Sequence, residues 1–180
     1  MKKTILTFGL ISGAVAALTM QATLPFSDSI DSTRAYILGY TSIVLSLLLV
    51  FFGVRSYREN VNAGRLTFGR GFAIGILITL ISSACYVARW ELIYFKLKPD
   101  FGEKYAATMV KRVRESGANQ QKIDEAVRQA HEFKRMYDKP AYNIGLTFME
   151  IFPVGLVITL ISAGILRKKA GNQQALEANG

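Results

Sequence analysis

Apolar residues in this chain are not spaced for one face of a helix or strand; they run on without interruption. No charge occurs from Thr4 to Phe26, from Ala35 to Val54, or from Gly71 to Ala88. The third run keeps its apolar character past Arg89, Glu91 and Lys96 to Leu97, and a fourth, Ala141 to Leu166, is broken by Glu150 alone. Crossing a bilayer core takes about 20 apolar residues in a helix. The pattern therefore predicts an all-α integral membrane fold of four transmembrane helices, at about 4–26, 35–54, 71–97 and 141–166. Four spans and one polar loop use up the chain, so residues 1–180 read as one membrane domain. In the loop, 98–140, the pattern changes. Phe101, Tyr105, Met109 and Val113 recur every fourth residue, and Ile123, Val127, Ala130 and Tyr137, with Phe133 beside them, form a second stripe. Such spacing predicts two amphipathic helices, a hairpin. Asp100 and Glu103 have the form of a capping box, Gly117 that of a helix stop, and Asn119 that of an N-cap. The tail 170–180 is small and polar, and reads as a disordered end.

Charge changes the picture only in detail. The net charge is +9, which in a soluble domain would point to nucleic acid. Here Lys2, Lys3, Arg55, Arg58, Arg65, Arg70, Arg167, Lys168 and Lys169 flank the apolar runs. Basic residues placed so meet anionic lipid headgroups; the expected partner is the bilayer, and nucleic acid is not expected. The N-terminal run is longer than a secretory signal core of ~7–15 residues, so it reads as a retained span. Around the first hairpin, two lysines precede span one, Arg34 alone follows it, and four arginines follow span two. That asymmetry puts both termini in the cytoplasm. The basic content of loop 98–140 opposes this choice by raw counting, but the rule weakens for long loops.

Candidate chemistry is sparse. The chain has one cysteine, Cys85, and one histidine, His131, so no disulfide or cysteine-based metal site can form within it. Cys85 reads as a packing residue and His131 as a solvated helix residue. No zinc-protease, nucleophile-elbow or phosphate-loop motif occurs, and "GRGFAIG" lies in a span with no preceding strand. No cofactor, metal or enzymatic activity is expected. Ser82, Ser83, Thr159 and Cys85 offer nucleophilic atoms, but no base is placed beside them.

Small residues predict how the spans pack. Helices in lipid associate where backbones approach closely. Gly9, Gly13 and Ala17 fall every fourth residue on span one, as do Gly71, Gly75, Thr79 and Ser83 on span three and Gly155, Thr159 and Ala163 on span four. Ser42 and Ser46 are the equivalent on span two. These rows predict a tight bundle, compatible with a homodimer. Trp90, Tyr94, Tyr36 and Tyr40 read as an interfacial aromatic belt. There is also an internal echo: "LTFGRGFAIGILITLISSA" from Leu66 and "LTFMEIFPVGLVITLISAG" from Leu146 share ten identities over nineteen positions. Duplicated helices and coincidence within a small apolar alphabet both account for it.

One feature resists the membrane pattern. Glu150 and Pro153 stand inside span four. The proline withdraws the donor for the Met149 carbonyl, and a carboxylate at membrane depth is costly unless paired. Glu150 is expected to face the bundle interior, paired with Arg89 at matching depth on span three. The pair reads equally as an architectural ion pair and as a proton or ion site.

Five segments, "KKTILTFGLISGAVAAL", "LGYTSIVLSLLLVFFGVRSYREN", "LTFGRGFAIGILITLISSACYV", "PDFGEKYA" and "FMEIFPVGLVITLISAGILRKK", resemble the bacterial membrane family called domain of unknown function 4199. The resemblance covers about residues 3 to 169 and implies a small multi-span protein of the bacterial cytoplasmic membrane. It implies no activity, substrate or cofactor. The expectation is a non-enzymatic protein with a structural or accessory role; the alternative is a small dimeric carrier that couples ions or protons through Glu150.

Overall fold

The computed structural model describes residues 1–23 and 32–168. The tail 170–180, Lys169 and the end of the first apolar run lie outside the described residues. The chain folds into α1 (Lys2–Thr23), α2 (Ser32–Asn60), α3 (Phe68–Leu92), α4 (Phe101–Glu115), α5 (Gln120–Tyr137) and α6 (Pro140–Ile165). A π-helical turn, Ile93–Leu97, extends α3. Lys2–Ala22, Ile37–Asn60, Phe68–Leu97 and Pro140–Ile165 are long and apolar enough to cross a membrane. This is an all-α membrane protein. Helix α2 runs beyond Val54 because its exit "RSYREN" still favours helix: Arg55 and Glu59, one turn apart, pair at 3.0 Å.

Contacts divide the chain into two compact units, one from Met1–Tyr86 together with residues from Glu150 onward, the other Val87–Met149. In the first unit α3 is the hub. Gly9 and Gly13 of α1 lie against Ile81 and Cys85, where added methyl groups would stand 2.8 and 2.5 Å from the facing side chains. The Ser12 hydroxyl joins three helices, donating to the Ser46 carbonyl of α2 at 2.7 Å and sharing a hydrogen bond with Ser82 of α3 at 2.9 Å. Gly53 of α2 admits Ile78. Leu47, Val50, Val54, Ile74, Ile78 and Ile151 fill the core between these contacts.

The other side of α3 meets α6 in an antiparallel register. Leu66 and Lys168 exchange backbone hydrogen bonds of 3.1 and 2.8 Å. Next along, Gly71 faces Ala163, Gly75 faces Thr159, and Thr79 faces Gly155. The Thr79 and Thr159 hydroxyls share a hydrogen bond at 3.1 Å across 80 residues of chain. That separation is also the offset of the internal echo, so Gly75 with Thr159 and Gly155 with Thr79 are the same contact made twice. A contact that maps onto itself when partners exchange is the mark of a two-fold axis. Here the axis crosses the helices, as in inverted-topology repeats. The echo is thus a physical relation between α3 and α6.

The second unit is organised by aromatic rings. Phe101 packs edge-on to Trp90, with centroids 5.1 Å apart, and stacks with Tyr105. Tyr137 meets Tyr94 at 5.1 Å and stacks on Phe133 at 5.3 Å. Trp90 Nε1 donates to the Tyr137 hydroxyl at 2.9 Å, and the Tyr94 hydroxyl donates to Asp138 at 2.6 Å. Trp90 and Tyr94, read from sequence as belt residues, instead bind the hairpin, because an indole N–H and a phenol hydroxyl seek partners when buried. The two expected stripes line the inner side of the hairpin, with Ala130 and Tyr137 buried. Gly117 takes a positive φ of 72°, and Asn119 accepts from the Lys122 N–H at 3.0 Å. The capping box does not form: Asp100 makes no side-chain cap and instead pairs with Lys104 at 2.7 Å. That charged contact holds its carboxyl below the usual range.

Two outcomes are expected from this packing. Alanine suits a helix better than glycine by about 1 kcal/mol, so Gly145→Ala on α6, where nothing lies within 4 Å, should leave stability unchanged or raised. Gly155→Ala meets Thr79 and should cost about 1–3 kcal/mol, the usual range for overpacking. Thermal unfolding of both variants in the same detergent checks this. In the hairpin, the Lys134 ammonium at 2.8 Å, then the Tyr94 hydroxyl, depress the Asp138 pKa. A depressed carboxylate stabilises the fold above its unfolded pKa and loses that contribution as pH falls through its folded value. Asp138→Asn should therefore lower hairpin stability at pH 7, with the gap to wild type closing below about pH 4. Fluorescence of Trp90, the one tryptophan of the chain, reports it.

Candidate functional site

Helix α6 has an inner and an outer stripe. Ile151, Gly155, Thr159, Ser162 and Ala163 are buried. Glu150, Val157, Ile161 and Gly164 are exposed. Each residue turns about 100° around the helix, so Glu150, next to buried Ile151, points away from the packed stripe. The expectation that Glu150 faces the interior does not hold. Its register on the α3 pair makes it level with Ala84. Counted along α6 it lies about 15 Å from Pro140 and about 22 Å from Ile165, near the middle of the span.

Pro153, half-buried, lies within α6. Its ring removes the donor for the Met149 carbonyl, a neighbour of Glu150 along the chain. Met149 is itself 62 % exposed. A carboxylate and an undonated carbonyl thus occupy successive residues at mid-span. In hydrocarbon, such groups persist only where another protein group or water satisfies them. Arg89 is a half-buried residue of α3 in the second unit, while Glu150 belongs to the first.

The buried hydroxyls of the spans are engaged in architecture. Ser12, Ser46, Ser82, Thr79, Thr159 and Ser162 all bond to helix carbonyls or to one another. Ser83 is the exception: its fully buried hydroxyl finds no partner among the described residues, an arrangement that costs about 1–3 kcal/mol. Cys85 packs against Gly13. His131 is exposed on α5. No group of three or more His, Cys, Asp or Glu that could hold a metal occurs among the described residues. The Ser12–Ser82 link escaped the sequence reading, although both residues lie on their helices' small-residue sides; nothing local says that two such sides will meet.

Residues 7–168 match a family described as protein of unknown function, DUF4199. No curated protein and no solved structure matches the chain.

Proline inside a helix costs about 3 kcal/mol. Pro153→Ala returns a donor to the Met149 carbonyl and should raise the unfolding temperature of the purified protein. A fall instead would mean that the proline ring is required by the packing of α6.

Proposed function

The chain belongs to the DUF4199 family, and on that premise we propose that it is a non-enzymatic membrane protein with a structural or accessory role, working as a homodimer through the outer stripe of α6. One observation carries this: Glu150, near the middle of a span, is exposed on its own chain. Leaving a carboxylate to hydrocarbon is costly. A second copy of α6 offers a matching carboxyl, and two protonated carboxyls can donate to each other. Gly164, on the same stripe with nothing within 4 Å, gives a facing helix room for close approach. The bacterial cytoplasmic membrane is the proposed location, with both termini inside. That orientation gathers the basic ends of the spans on the side of the anionic leaflet.

Counting photobleaching steps of labelled protein in dilute vesicles tests the pairing. Wild type should show two steps. Glu150→Leu should shift the population to one step, weakening association at least about tenfold. Glu150→Gln, whose amide still donates and accepts, should keep two steps. A wild type with one step at every dilution overturns the proposal. Stability separates it from an ion pair with Arg89 in the same chain: losses from Glu150→Gln and Arg89→Gln should add within about 0.5 kcal/mol, whereas paired residues couple more strongly.

A second reading follows from the neighbouring proline. Glu150 beside a proline that removes one helix hydrogen bond would couple an ion or proton. It predicts that Glu150→Gln vesicles keep two steps and lose a proton-driven flux that wild-type vesicles show.

A further inference from the structure

The hairpin carries a second feature, independent of α6. Between α4 and α5 runs a groove of about 600 Å³. Its floor is made of short apolar side chains, Ala106, Ala107, Val110, Val127 and Ala130. Its borders are charged, and unevenly. At the end formed by the close of α4 stand Lys111 and Arg114; at the other stand Glu103 and Lys134, with His131 between. Lys134 is neutralised by Asp138 at 2.8 Å. Lys111 lies 3.7 Å from Glu115. Set against Glu115, the Lys111–Arg114 end keeps one positive charge in excess. The groove therefore has an apolar floor and one cationic end.

We propose that this groove binds a single-chain anionic lipid, a long-chain carboxylate. Its headgroup sits between Lys111 and Arg114 and its alkyl chain lies along the alanine and valine floor. Charge complementarity selects the headgroup: one excess cation matches one carboxylate, and a guanidinium receives a carboxylate with two parallel N–H donors. The floor selects the chain. Small side chains leave a trough where a leucine or phenylalanine would fill it, and each methylene removed from water contributes favourably. The source of the ligand is the bilayer itself. Lys98, Pro99 and Asp100 join α4 to the end of one span, and Asp138 and Lys139 join α5 to the start of another. Both ends of the hairpin are thus tied to span ends, at the membrane surface where such amphiphiles concentrate.

Native mass spectrometry of the full chain, released from micelles of a neutral detergent, tests the assignment with three probes. Dodecanoate carries charge and chain, dodecanol the chain alone, and acetate the charge alone. One dodecanoate should bind per chain, and neither dodecanol nor acetate should be retained. Replacing two surface cations near an anion weakens binding by about thirtyfold, so the double variant Lys111→Gln, Arg114→Gln should lose dodecanoate to that extent. Ala107→Phe fills the exposed floor and should lose it without touching either cation. The proposal fails if dodecanoate and dodecanol are retained equally, if acetate alone binds as well, or if both variants bind like wild type. Circular dichroism of each variant controls for unfolding. Should Ala107→Phe lose helix, Val110→Leu, a smaller filling of the same trough, replaces it.

Discussion

The reciprocal contact of Gly75 with Thr159 and Gly155 with Thr79 is what the rest of the membrane unit depends on. In lipid, burying leucine against leucine gains little over leaving it against acyl chains. Adhesion must come from close backbone approach and from hydroxyls that bond across helices. The α3·α6 seam supplies both in duplicate, ending at the exchange of backbone bonds between Leu66 and Lys168. With one side of α3 fixed so, its other side is free to receive Gly9, Gly13 and Ser12 of α1.

That arrangement also explains where polarity stands in the spans. Hydroxyls on the inner stripes, Ser83 excepted, are engaged in hydrogen bonds to helix carbonyls or to one another. Glu150 is not, because it sits one residue off the stripe that the Gly–Thr register buries. The register that binds α6 to α3 is therefore the same constraint that turns the carboxylate outward. Pro153 compounds it by freeing a carbonyl on an exposed residue. A span built this way is complete on one side and unsatisfied on the other, and the proposed pairing of two copies follows from that imbalance.

The second unit is held differently. Its adhesion is aromatic and hydrogen-bonded, through Trp90, Tyr94, Phe101 and Tyr137, with Asp138 and Lys134 at the edge. In these contacts the ring faces are packed together and the polar tips find partners.

Local chemistry alone determined a good deal here. Uninterrupted apolar runs marked four spans, since bilayer thickness imposes a length that few other folds need. Period-four stripes marked the hairpin, and Gly117 and Asn119 marked its turn, because a positive φ and an N-cap are properties of one or two residues. The echo between α3 and α6 was visible, but its meaning was not. What only the tertiary structure decided were relations between distant residues. These include which small-residue rows meet, that Trp90 and Tyr94 serve the hairpin instead of a lipid belt, that Asp100 pairs with Lys104 instead of capping, and that Glu150 points outward. The reason is physical. A helix leaves its rotation about its own axis open, and within lipid no hydrophobic gradient sets that angle. Close contacts across the seams do, glycine against a facing side chain and hydroxyl against hydroxyl or carbonyl.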